Sequence, residues 1–202
     1  DDEMGEARYQ PFCQAYADHH HAVGYVVDQS DTCAPALITN EVYKKTGDAK
    51  YLKMTRAGIH NLQHEPRLVA DLINHNGHSR DSRDYPRSIW VDSMMMSGVF
   101  SAIAADDFDD AGLRDFARTQ PRQFAKYLQD PKSRLFHHSW WKLLNRPYPR
   151  NIFWGRGNGW VIASLSLFLN YVDDADARRI LAEVSAALLP LQRKDFYFDT
   201  VV

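Results

Sequence analysis

"VYKKTGDAKYL", residues 42–52, reads as two helices meeting at a tight turn, and that reading decides the fold class. Gly47 supplies the left-handed residue that closes a helix C-terminus, and Asp48 follows as a cap for the next helix. Downstream, Tyr51, Leu52, Thr55, Ile59 and Leu62 recur at helical spacing, so one face of the second helix is committed to a core. Upstream, Asp31 is placed to cap a helix running to about Lys45. The unit is an αα-hairpin, and the question is how many such units the chain carries.

Outward from it, helical periodicity recurs and strand alternation is scarce. A first helix is expected over about residues 4–18, with Pro11 as a kink or break and the polar cluster "ADHHH" at its end. The short stretch "VGYVVDQSD", residues 23–31, is β-like. Further helices are expected at about 89–105, 110–129 with an interruption at Pro121, 158–172 and 175–193. Between them run two long polar and aromatic loops, about 65–88 and 130–157, too long to be idle connections. Some seven helices joined alternately by tight turns and long loops describe an all-α stack of hairpins whose loops gather on one face; a seven-helix orthogonal bundle would give the same trace.

Composition narrows the partners. The 202 residues carry 24 Lys and Arg against 26 Asp and Glu, with no basic stripe of the kind that neutralises a phosphate backbone, so nucleic acid is not expected. No apolar run approaches the roughly 20 residues that span a bilayer. Cys13 and Cys33 are too few for a disulfide framework, although a single bridge stays open, and they leave both a cytoplasmic and an exported location open. The acidic start "DDEMGEARY" is neither a signal peptide nor an obvious initiator.

Candidate chemistry concentrates in three places. In "DYPRSIWVDSMMMSGVF", residues 84–100, Asp92 is the only carboxylate from Arg87 to Val99, an apolar run; burial there would raise its pKa, as a general acid requires, while the structural alternative is a helix cap or a hydrogen bond within the helix. The methionines Met94 to Met96 read as core filler. In "NIFWGRGNGWV", residues 151–161, Trp154 and Trp160 offer flat apolar surface for a sugar ring, with Trp140 and Trp141 upstream, and Arg156 offers a fork for a carboxylate. The glycines would let the backbone come close. Together these describe a pocket for an acidic sugar; the alternative is buried packing with Arg156 paired internally to an aspartate. "GRGNG" lacks the Lys-Ser/Thr ending of a phosphate loop. The histidines His19 to His21, His60 with His64, and His137 with His138 lack the accompanying glutamate of the zinc-protease helix motif, and adjacent histidines point apart, so no metal is expected.

Several motifs, in order, resemble the unsaturated glucuronyl and rhamnogalacturonyl hydrolases of glycoside hydrolase families 88 and 105. "SDTCAPALITNEVYKKTGDAKYL" is similar to that family's Asp-x-x-x-Pro…Thr-Gly-Asp-x-x-Tyr-Leu stretch, and "YPRSIWVDSMMMSGVF" to its Tyr-Pro…Trp-x-Asp-x-x-x-Met. "LFHHSW" resembles its Leu-Phe-Tyr-His-x-Trp, and "FWGRGNGW" its Phe-Trp-x-Arg-Gly-Asn-Gly-Trp. The resemblance implies an (α/α)6 barrel, a ring of helical hairpins with the site at one mouth. It implies a substrate that is an oligosaccharide ending in a 4,5-unsaturated uronic acid, as a polysaccharide lyase leaves it, of the pectin or rhamnogalacturonan type. Asp92 would be the general acid and base, Asp31 the second carboxylate, Arg156 the partner of the uronate carboxylate, with Trp154, Trp160, Trp140 and His138 lining the sugar site. No metal or cofactor is implied.

Two departures accompany it. Many relatives carry a His-Lys pair eleven and ten residues before the catalytic aspartate; here those positions read Asp81 and Ser82, and His78 is the candidate to take the histidine's place. The chain is also short for a full ring, so it reads either as a portion of a longer barrel lacking N- and C-terminal helices or as a minimal open ring, which would expose inner helix faces and favour a homodimer. Two other functions stay in view: a non-catalytic remnant that binds acidic sugars, and a sugar epimerase on a similar helical barrel, which would use a histidine pair as acid and base.

Overall fold

The computed structural model describes residues 7–202, and the start of the expected first helix, residues 4–6, lies outside them. Seven α-helices are present among the described residues: α1 (Gln10–Val23), α2 (Ala34–Thr46), α3 (Leu52–His64), α4 (Ser101–Asp107), α5 (Ala111–Leu128), α6 (Gly155–Phe168) and α7 (Ala175–Leu188). They pack as successive hairpins, α2 on α3, α4 on α5 and α6 on α7. None is long and apolar enough to cross a membrane.

The α2–α3 turn follows its sequence at Gly47 and departs from it at Asp48. Gly47 takes φ +68°, and its N–H donates to the Tyr43 carbonyl at 2.8 Å. Asp48 does not cap α3, which begins after Tyr51 with no side-chain cap bond; it folds the turn itself by accepting from the Lys50 N–H at 3.0 Å. Where the two helices touch, Thr39 and Thr55 hydroxyls meet at 3.1 Å. Gly58 leaves room for its neighbours: a Cβ there would sit 2.7 Å from Ala36 Cβ and 2.8 Å from the Phe100 ring. Phe100, Leu62 and Leu113 are buried around that point, each side chain stabilising by about 2–3 kcal/mol through removal from water.

Several expectations are corrected. Pro11 does not kink α1 but starts it, in the first turn, where its missing N–H would have had no helical partner. Pro121 does not interrupt α5; it is buried within one continuous helix. The stretch 23–31 forms no strand, and the helix expected at 89–105 is three elements in succession. These are a strand, a turn at Val91–Asp92, and a π-helical segment (Met95–Phe100) that runs into α4. Met94 and Met95 fill the core, as their sequence suggests.

The strands are few and short, but they organise the mouth. β1 (Arg67–Val69) and β2 (Leu72–Ile73) form a hairpin; β3 (Ser88–Trp90), β4 (Ser139–Trp141) and β5 (Arg146–Tyr148) form an antiparallel sheet. In its register Ile89 lies opposite Trp140 and Trp90 opposite Ser139. Ile89 and Trp140 are both buried in the main core, and alternation along the strand turns Trp90 the other way.

Candidate functional site

One further backbone bond past the sheet joins the two loops that carry the chemistry. The Val91 N–H donates to the His138 carbonyl at 2.9 Å, which sets Asp92, the next residue, beside His138. The approach on the other side comes from α6. The Asn158 side chain, fully buried, accepts from the Phe136 N–H at 2.7 Å and donates to the Phe136 and Trp154 carbonyls at 3.0 Å each. A single amide thus ties the "FHH" segment to the start of the helix that presents Arg156 and Trp160. Those two residues, spaced i,i+4, share one face of α6.

The result is a cleft of about 620 Å³ lined by Asp31, His75, Trp90, Asp92, His138, Trp154, Arg156 and Trp160, with Pro149, Ile152 and Val201 at its edge. Six of the seven residues selected from sequence meet here: Asp31, Asp92, His138, Trp154, Arg156 and Trp160. Trp140 does not. It is 5% exposed and packs edge-on against Tyr127 in the core, because strand alternation sends it to the face of Ile89. His138 Nδ1 lies 3.9 Å from Asp92 Oδ2, too far for a hydrogen bond, and neither atom bonds to any described residue.

Asp31 does not cap α2. Thr32 takes over the local turn, its hydroxyl accepting from the Asp28 and Gln29 N–H groups, and leaves the Asp31 carboxylate free on the cleft wall. It lies 3.8 Å from Nε2 of His75, the residue sequence reasoning missed. His75 is 3% exposed, stacks on Trp90 with ring centroids 4.2 Å apart and planes 6° from parallel, and meets the Ser93 hydroxyl through Nδ1 at 2.8 Å. Its one signal was a position directly after the β1–β2 hairpin in a loop too long to be idle. His78, the candidate from sequence, bonds instead to Glu65 at 2.7 Å outside this cleft.

Burial pushes both imidazoles below their ordinary value. For His75 desolvation outweighs the attraction of Asp31 and Asp92, and for His138 desolvation, helped by the nearby Arg156 guanidinium, outweighs Asp92. The two histidines therefore enter the cleft as neutral hydrogen-bonding groups at neutral pH. Arg156 is not paired internally: its guanidinium lies over the Trp154 ring at 3.9 Å and makes no ion pair among the described residues. Two of the motif's three glycines make room for the protein itself, and only Gly159 has open space beside it. Gly157 makes room for the Trp154 ring, which a Cβ would meet at 2.9 Å, and Gly155 for the Asp199 carbonyl of the C-terminal segment. Among the described residues no three His, Cys, Asp or Glu side chains converge as metal ligands, and Cys13 and Cys33 are free thiols.

Successive helical hairpins, with a cleft of carboxylates, neutral histidines, an arginine and tryptophan walls at the loops between them, define a protein of the helical-hairpin class. The chain belongs to glycosyl hydrolase family 88, whose family model matches residues 2–202. It is 25% identical over 172 residues to the unsaturated rhamnogalacturonyl hydrolase YesR of Bacillus subtilis (strain 168), covering 80% of this chain and 48% of that protein. A solved structure from Klebsiella pneumoniae, described as a possible member of the GH105 family, superposes with a TM-score of 0.87 at 21% identity over 99% of this chain and 54% of that one. The unsaturated glucuronyl hydrolase of Bacillus sp. GL1 superposes with a TM-score of 0.76 at 15% identity, over 99% and 56%. The chain thus spans about half the length of these relatives.

Proposed function

We propose that this chain carries the site of a hydrolase that removes a terminal 4,5-unsaturated uronic acid from lyase-generated oligosaccharides of the rhamnogalacturonan type, the sugar named for the Bacillus subtilis relative. One observation carries the reading: Asp92, one of whose carboxyl oxygens is buried with no hydrogen bond to any described residue, lines the same cleft as Arg156, Trp90 and Trp154, and that arginine makes no ion pair among the described residues.

Arg156 pairs with the uronate carboxylate and so fixes the adjacent C4=C5 bond against the tryptophan wall. Protonated Asp92 delivers its proton to C4. Positive charge develops at C5, shared with the ring oxygen, in the field of the Asp31 carboxylate. Water adds to C5 and returns a proton to the Asp92 carboxylate. The hemiketal so formed opens, and the hemiacetal left at C1 expels the leaving chain as an alcohol. Neutral His75 and His138 hydrogen-bond the sugar hydroxyls. One carboxyl group serves both proton steps, unlike ordinary glycoside hydrolysis with its two flanking carboxylates.

The test is loss of the ultraviolet absorbance of the conjugated double bond on incubation with lyase-generated disaccharides. Asp92→Asn should slow it by on the order of 10²–10⁴-fold while retaining the fold. A folded wild type that leaves the absorbance untouched across uronate linkages defeats the reading. Calorimetric binding of uronate without product would then indicate a binding protein. Isomerised sugar without bond cleavage would indicate an epimerase, for which His75 and His138, both packed against Trp90, supply the histidine pair.

A further inference from the structure

A second cleft, of about 750 Å³, lies behind the wall that carries His75. Consecutive residues face the two spaces: His75 lines the first, and Asn74 lines the second. The ridge between them is aromatic. Tyr85, 47% exposed, lines the second cleft and packs edge-on against Trp90 of the first, with ring centroids 5.6 Å apart. Its lining is rich in nitrogen donors. Arg83 and Arg87 both face it, and neither guanidinium makes an ion pair or hydrogen bond among the described residues. His60 and His64, stacked at 4.0 Å along α3, and His78 complete the rim. The one carboxylate in the lining, Glu65, is buried and already engaged by His78. Asp81 and Asp84 belong to the same loop but do not line the space.

Resting on the function proposed above, we infer that this second cleft is an anion site for the leaving chain. It would accept a carboxylate or sulfate on a sugar that continues past Tyr85 while the unsaturated residue occupies the first cleft. A guanidinium fork matches either oxyanion, and an exposed aromatic ridge is a surface over which a sugar chain can pass.

Three unsaturated substrates sharing the terminal residue and linkage, with neutral, carboxylated and sulfated leaving chains, test it. Wild type should favour an acidic chain by roughly tenfold in kcat/KM at low salt, and Arg83→Ala/Arg87→Ala should reduce that ratio toward one, chiefly through KM. The two acidic arms identify which anion is preferred. Equal rates on neutral and acidic chains, or a ratio unmoved by the double substitution, overturn the inference. A second arm does not depend on turnover: saturated oligogalacturonate and its sulfated counterpart, titrated by NMR, should shift the imidazole signals of His60, His64 and His78 in wild type and not in the double variant. Those shifts without any loss of absorbance in wild type would leave the second site standing and remove the hydrolase reading; no shifts would remove the second site alone.

Discussion

The α2–α3 hairpin closes within residues 34–64 on contacts between sequence neighbours, whereas the β3–β4–β5 sheet joins residues 88–90 to residues 139–148 across two intervening helices. In the hairpin a single glycine, one Asx turn and a helical stripe are enough to specify the geometry. In the sheet nothing local is: three-residue strands have too little pairing to hold themselves, and they persist because Ile89 and Trp140 are buried in the core and Asn158 clamps the neighbouring strand end. The difference teaches what each kind of contact builds. The locally specified unit contributes scaffold, and the non-locally specified one brings Asp92, His138 and Trp90 together.

Breaking the clamp should therefore do the most damage. Asn158→Ala leaves the buried Phe136 N–H without an acceptor and frees the Trp154 and Phe136 carbonyls. It should cost about 2–4 kcal/mol in urea unfolding. Because Phe136 leads into His138, and Trp154 into Arg156, uronate binding should fall as well, even for the fraction that stays folded. Equal binding by folded Asn158→Ala and wild type would mean that the cleft is held by other contacts.

The corresponding cut in the hairpin is milder. Gly47→Ala meets no atom within 4 Å, so its cost is only the left-handed backbone, about 1 kcal/mol. Turnover per folded molecule should be unchanged. A loss of activity beyond the loss of folded protein would show that the hairpin and the sheet are not separable in this way.

The same contrast explains what could be read from sequence. The turn at Gly47, the spacing of Tyr51 to Leu62 and the "FWGRGNGW" motif carry their information within a few residues, and the resemblance to family 88 enzymes picked out Asp92, Asp31, Arg156, Trp154, Trp160 and His138, which the structure brings into one cleft. Trp140 and Trp141 are adjacent and chemically alike, so only the sheet register, which depends on residues 88–90, decides that Trp140 is core. His75 was illegible for a related reason. Its stacking on Trp90 and its approach to Asp31 and Ser93 are contacts between loops, and a fixed offset from Asp92 pointed instead to Asp81 and Ser82. The pairing of Val91 with His138 turned an expected helix start into strand and turn, and no helical periodicity could reveal it.

Acid should separate the two regions by the pH at which each weakens. In the site His75 and His138, and outside the cleft lining their neighbour His137, are held below their ordinary value of 6.5, chiefly by burial. As pH falls through that value the unfolded chain takes up protons that the folded chain refuses, so folding stability declines with decreasing pH from about 6.5 downward. The groups facing His75 and His138 include Asp31, Asp92 and Arg156. The carboxylates oppose the depression, and desolvation still prevails. Beside the hairpin the sign is the same and the window differs. Asp18 on α1 is lowered to about 2 by hydrogen bonds from Tyr51 and Lys50, so its contribution is present above pH 3.8 and is lost only as pH falls toward 2. Denaturation midpoints measured between pH 7.5 and 5 should thus fall through the histidines alone, and His75→Gln, which cannot take up a proton, should flatten the slope. Asp18→Asn should leave that slope intact and alter only the limb below pH 4. A wild-type midpoint that rises between pH 7.5 and 5 would mean that these imidazoles gain protons in the folded state, and the cleft would then hold cationic histidines beside Asp31 and Asp92 rather than neutral ones.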